Sequence, residues 1–276
     1  MSASPAESWI DPAALMAQAR AFERSGAPRE AEAAYNALIV IAARQEDQAT
    51  LAEAVRRRAV LAHHAGDSAR ARSALHQSYA VTSVLGDRRL AAETLNTLGG
   101  LELETRNLGA AELALTEAAA LATDHPEVFA RVSQNLGIVA NIRGDHAAAA
   151  VHYRRSLEAY ERLGDAHGSA IARHNLGMLA ADSGDFAQAG AHFEACQALA
   201  QASEDAHLGA LCLVNHAELM IALGRTAEAR RAVEAAERTF EALEAHFDAP
   251  DVARVLALCD RADGLQPGLG DAAVLF

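Results

Sequence analysis

The 276-residue chain contains no lysine, so all 24 of its basic side chains are arginine. A P-loop and a Schiff-base mechanism both need a lysine amine, and both are excluded. Aromatic residues make up only 4% of a chain that is 51% hydrophobic, and much of the apolar content is alanine. Alanine is the best helix former and lets helices approach closely, so the composition predicts an all-helical protein. A net charge of −13 argues against general nucleic-acid binding, which needs a basic footprint. There are three cysteines, Cys196, Cys212 and Cys259, widely spaced in helical segments. They read as small core residues in a reducing compartment, with no disulfide framework expected. No apolar stretch is long enough to span a membrane, and Met1 to Asp11 has no cationic region followed by an apolar run. The expected location is cytoplasmic.

A repeat is present. Asn135-Leu136-Gly137, Gly144-Asp145, Ala149 and Tyr153 recur forty residues later as Asn175-Leu176-Gly177, Gly184-Asp185, Ala189 and Phe193. Outward from this core a turn glycine falls at Gly26, Gly66, Gly144, Gly184, Gly224 and Gly264, with Arg106 in the vacant slot. Five residues after each of the first six slots stands Ala31, Ala71, Ala111, Ala149, Ala189 or Ala229. Four residues further comes Tyr35, Leu75, Leu115, Tyr153, Phe193 or Val233. A fixed period of this kind marks a repeat array.

Each repeat reads as helix A, a tight turn and helix B. The glycine takes the left-handed conformation that closes helix A, and Asp67, Asp145 or Asp185 caps helix B. Asp47, Asp87, Asp165 and Asp205 are placed to cap the next helix A, with His125-Pro126 replacing that device in the repeat two residues short. Asp11-Pro12 opens the first helix, and the first pair is expected over about Pro12–Ser25 and Pro28–Arg44. The seventh repeat keeps only a lone helix, about Asp251 to Ala262, covering the exposed face of repeat six. The expected organisation is a flexible segment at 1–11, with Trp9 against the first helix, a repeat domain at 12–262 and a tail at 263–276. Val274-Leu275-Phe276 is a candidate docking motif in that tail.

The Leu-Gly of helix A and the Ala-x3-Tyr/Phe of helix B resemble the tetratricopeptide repeat family over about residues 12 to 262. The period is 40 where the family has 34, the tryptophan and the closing proline are missing, and repeats one, two and six lack Leu-Gly. A forty-residue period also fits HEAT-type repeats. The resemblance implies a right-handed superhelical array of six helix pairs plus a C-terminal capping helix, in which Gly137 and Gly177 mark the close crossings and Ala149 and Ala189 face them. It also implies that helix A lines a concave groove and that the protein is a non-catalytic scaffold for a protein or peptide partner. The alternative is the sensory or regulatory region of a larger signalling or transcription regulator.

By register the groove carries Arg56, Arg57, Arg131, Asn135, Ile138, Ile171, His174, Asn175, Met178 and Asn215. The asparagine column pairs with the backbone of an extended segment, or it bonds neighbouring helices and fixes their stacking. Ile138, Ile171 and Met178 supply apolar pockets, or they belong to the core. Arg20, Arg24, Arg56 and Arg57 suit an acidic portion of the partner, or they pair with this chain's own acids. His63-His64, His152 and His192 do not form a ligand set and read as solvated histidines. No nucleophile with a base, no cofactor and no metal is expected.

Overall fold

A computed structural model describes residues 11–245 and 249–264. Thirteen helices follow one another: α1 (Pro12–Arg24), α2 (Pro28–Arg44), α3 (Gln48–His64), α4 (Ser68–Leu85), α5 (Arg88–Glu104), α6 (Leu108–Leu121), α7 (Pro126–Ile142), α8 (His146–Leu163), α9 (Ala166–Asp182), α10 (Phe186–Ala202), α11 (Ala206–Ala222), α12 (Thr226–Ala242) and α13 (Ala249–Gly264). The described residues are all-α, six sequential A/B pairs followed by a single helix. The chain divides into two compact units, Met1–Val139 and Ala140–Phe276. The segment around Trp9 and the Val274-Leu275-Phe276 motif lie outside the described residues.

The turns are built as their sequence predicts. Gly26, Gly66, Gly144, Gly184 and Gly224 all have φ between 68° and 89°, and Arg106 takes the same left-handed conformation at φ 62°. In each case the next residue donates its backbone N–H to the carbonyl five positions back, as Asp67 does to Ala62 and Asp185 to Ala180. That bond closes helix A and satisfies a carbonyl that would otherwise be an orphan. The aspartate carboxylate then accepts the N–H three residues on, Arg70 for Asp67 and Gln188 for Asp185, opening helix B.

The linkers between repeats use the same device. Glu46, Gly86, Gly164, Glu204 and Glu244 are left-handed, and Asp47, Asp87, Asp165 and Asp205 both close helix B and cap the next helix A. Gly264 departs from its expected role, because α13 continues to that residue instead of turning there.

Helix crossings explain the column of small residues. A Cβ on Gly99 would stand 2.5 Å from Leu115 Cγ, and one on Gly177 2.7 Å from the Phe193 ring. The glycine thus meets the large apolar residue of helix B, and the buried Ala189 sits one turn before it. Where glycine is absent, Ala19, Ala59 and Ala217 take the position at 0–1% exposure. In unit two α13 lays Val252, Val255 and Cys259 on Ala210, Val214, Ala217 and Val233, covering the last pair.

Packing this close predicts a clear mutational contrast. Ala189 is fully buried and Ala202 is exposed at the end of α10. Ala189→Leu is expected to cost about 1–3 kcal/mol, the usual penalty for overfilling a close contact, while Ala202→Leu leaves stability nearly unchanged. Thermal denaturation followed by circular dichroism checks this, and equal shifts in the two variants would refute the register.

One expectation is overturned. Cys196 of α10 and Cys212 of α11 form a disulfide, and only Cys259 remains a buried free thiol. The register places Cys196 on the face of α10 that meets α11, and two thiols brought together there can oxidise. The expectation of a cytoplasmic location rested in part on reduced cysteines and loses that part of its support. Among the described residues no helix is long and apolar enough to cross a membrane.

Candidate functional site

In unit one, a cavity of about 780 Å³ is lined by α1, α3, α5 and α7, the A helices. Its floor is an ion-pair network. Glu53 accepts hydrogen bonds from Arg56 at 2.6–2.9 Å, from Arg57 at 3.0 Å and from Arg20 at 3.2 Å. Glu93 accepts from Arg89 at 2.8 Å and from Arg56 at 3.2 Å, and Arg131 lies 3.8 Å from it. Arg57 also reaches Glu23, and Arg56 donates to Thr97. Burial raises the Glu53 carboxyl, but the guanidiniums of Arg56 and Arg57 outweigh that and hold it below the ordinary carboxylate range.

Arg56 and Arg57 therefore differ from what register alone suggests. Arg56 is 9% exposed and spends its donors on this chain's own carboxylates. Arg57 is partly exposed and is held between Glu53 and Glu23. The guanidiniums at the rim are those of Arg20, Arg89 and Arg131, whose side chains are 43–50% exposed. Nε of Arg20 is buried without a partner. Asp11, Asp47 and Asp87 also line the cavity, but each accepts a backbone N–H at a helix start. Five guanidiniums thus meet three glutamates and the three helix-capping aspartates, and the basic groups that reach the rim are those of Arg20, Arg89 and Arg131.

The asparagines are tied to neighbouring A helices. Asn135 Nδ2 donates to Asn96 Oδ1 at 3.0 Å, joining α7 to α5. In unit two, Asn215 Nδ2 bonds His174 Nε2 at 2.6 Å, joining α11 to α9. Burial lowers the His174 pKa, and a neutral imidazole is what this bond requires, because Nε2 must accept. Asn175 is half-buried beside His174 and raises its pKa by a hydrogen bond. The apolar candidates are partly covered: Ile138 lies against the core of unit one, and Ile171 and Met178 against cores of unit two.

The histidines are not simply solvated. His63 sits between Ser68 Oγ at 2.9 Å and Glu104 at 2.6 Å. His152 and His192 have pKa values lowered by burial and, secondarily, by nearby arginines. No cluster of three or more metal-ligating side chains occurs among the described residues.

Repeated helix pairs, small-residue crossings and a side-chain-lined face of A helices define a helical-repeat protein. The tetratricopeptide repeat profile matches residues 129–189 and 168–242, so residues 129–242 carry repeats of that family. No curated protein matches it in sequence. Among solved structures it is similar to BtubC (BKLC) from P. vanneervenii, with 19% identity, 91% of this chain and 98% of that one covered, and a TM-score of 0.70. It is similar to a STAND signal-transduction ATPase with a tetratricopeptide repeat sensor, PH0952 from Pyrococcus horikoshii: 13% identity, 94% of this chain and 39% of that one, TM-score 0.75. It is also similar to a Rap protein complexed with Competence and Sporulation Factor, with 14% identity, 91% and 75% coverage and a TM-score of 0.66. At these identities the likenesses establish the fold.

Proposed function

We propose that the protein is a non-catalytic scaffold whose A-helix faces hold a segment of a protein partner. Tetratricopeptide repeat domains generally mediate protein–protein interactions. The observation that carries the reading is the cavity of unit one, where the half-exposed Arg20, Arg89 and Arg131 present guanidinium donors at the rim, above a floor in which Glu53 and Glu93 are paired with arginine. Guanidinium forks suit carboxylates, so the portion of the partner held there is acidic. Of the residues named by register, Arg131 contacts the partner directly, while Arg56 and Arg57 hold the floor in place. In unit two the face carrying Ile171, His174, Asn175, Met178 and Asn215 offers half-buried apolar surface with amide groups beside it. It suits a less charged portion, with Asn175 the amide that touches the partner backbone.

A second reading is favoured by two of the structural likenesses. The array of PH0952 is a sensor within a larger ATPase, and the Rap protein holds a factor. On that reading the same faces sense an occupant and pass its presence to another domain.

Panning a displayed peptide library on the full chain tests the scaffold reading. Selected sequences are expected to be enriched in Asp and Glu. Arg131→Glu weakens them mainly at low salt, because exposed charges are screened over about 8 Å at physiological ionic strength. Asn175→Ala weakens them at all salt concentrations. Selected peptides indifferent to both changes would refute the placement.

A further inference from the structure

Unit two has a second concavity on a different side of its helices. A groove of about 640 Å³ runs between α8 and α10 over α9. From α9 it uses Arg173, Leu176, Leu179, Ala180 and Ser183, whereas Ile171, His174, Asn175 and Met178 point to another side of the same helix. The apolar part is formed by Leu157, Leu176 and Leu179, with Ala147, Ala150 and Ala180 leaving room above them.

The polar part is incompletely paired. Arg154 is exposed at the rim and has no ion-pair partner among the described residues. Arg173 donates one NH2 hydrogen bond to Glu161 at 2.8 Å, but its Nε is buried with no partner, and so is Nδ1 of His192 across the groove. Of the two acids lining the groove, Asp185 is occupied by the backbone N–H and the side-chain amide of Gln188. Glu158 is exposed one turn from Arg154. A buried donor left without an acceptor costs about 1–3 kcal/mol, so the Arg173 Nε favours an occupant that supplies oxygen.

We propose that this groove binds a peptide segment presenting carboxylates beside apolar side chains. The apolar groups lie on Leu157, Leu176 and Leu179, and the carboxylates meet Arg154 at the rim and the unpartnered Nε of Arg173. In an extended peptide successive side chains point to opposite sides, so alternating acidic and apolar residues place one set down and the other along the rim. The groove lies apart from the A-helix faces, and the proposal does not depend on them.

The probe is a fluorescein-labelled hexapeptide of alternating Glu and Leu, titrated against the full chain by fluorescence anisotropy. The wild-type chain is expected to bind it, and the same peptide with Gln for Glu binds about tenfold more weakly. Arg154→Glu and Ala147→Trp, the second filling the groove from an exposed position, are each expected to weaken binding by about tenfold at unchanged melting temperature. Arg155→Glu, at an exposed arginine of α8 that does not line the groove, leaves it unchanged. Absence of binding, equal affinity for the Gln peptide, or wild-type affinity in both groove variants would overturn the proposal. Binding lost only in Asn175→Ala or Arg131→Glu would also overturn it and would assign the peptide to the A-helix faces.

Discussion

Reducing the Cys196–Cys212 disulfide is expected to destabilise unit two by about 3 kcal/mol, the chain-entropy value for a closed loop of about fifteen residues. The two cysteines are 16 positions apart and both are fully buried. The bond ties α10 to the start of the next repeat, and in an array each repeat is stabilised chiefly by its neighbours. Loosening that interface weakens the coupling of repeats five and six as well as relaxing the unfolded chain. A loss of that size corresponds to a fall in melting temperature of roughly 6–12 °C for a domain of comparable size. Comparing oxidised chain, reduced chain and the Cys196→Ser/Cys212→Ser variant by thermal denaturation checks this. The reduced chain and the variant should coincide, and an unchanged melting temperature in both would show that the bond contributes nothing. Cys259 is a buried thiol away from this bond, and Cys259→Ser should leave the effect of reduction intact.

That bond shows where the sequence was silent. Cysteine spacing reports a pairing only when the helices carrying the residues are already placed, and Cys196 and Cys212 stand on different helices of successive repeats. The turns and caps were legible because each depends on chemistry within six residues. Glycine at the left-handed position and aspartate after it leave few alternatives, and even Arg106 could be placed by its slot. The left-handed glutamates Glu46, Glu204 and Glu244 were not legible, since glutamate has no local preference for that conformation and is held there by the closing bond of the linker.

The groove was legible in position more than in chemistry. Register identifies which residues lie on the A-helix face, but it does not say which of them satisfy one another. The column forty residues apart that contains Glu53 and Glu93, and two residues short of the period Arg131, was visible in the sequence and went unread. Of the two readings open for Arg56, pairing with this chain's own acids is the one its position supports, because its two carboxylate partners stand on α3 and α5. Asn96 was missed for a related reason. It stands 39 residues before Asn135, one place out of the strict register, and the asparagine bond across α5 and α7 appears only once the helices are packed.

Glu53→Gln is expected to destabilise unit one by about 3 kcal/mol at pH 7, the lower end of the cost of removing one partner from a buried ion pair. The side chains of Glu53 and Arg56 are 12% and 11% exposed, so the guanidinium left behind is poorly solvated. Glu93 and Thr97 still hold Arg56, and Glu23 still holds Arg57, which keeps the loss from rising further. The pH dependence has a definite sign. The Glu53 carboxyl is held below its ordinary value of 4.5 in the folded chain, so its contribution is complete above that value and is lost as the pH falls through the folded-state pKa. The difference between wild type and Glu53→Gln should therefore be constant near neutrality and shrink in acid, where the wild-type residue also becomes neutral. Urea denaturation of both proteins from pH 7 downward measures it. A difference that stays constant into acid would mean that Glu53 does not carry its charge in the folded chain, and the floor of the unit-one cavity would then have to be redrawn.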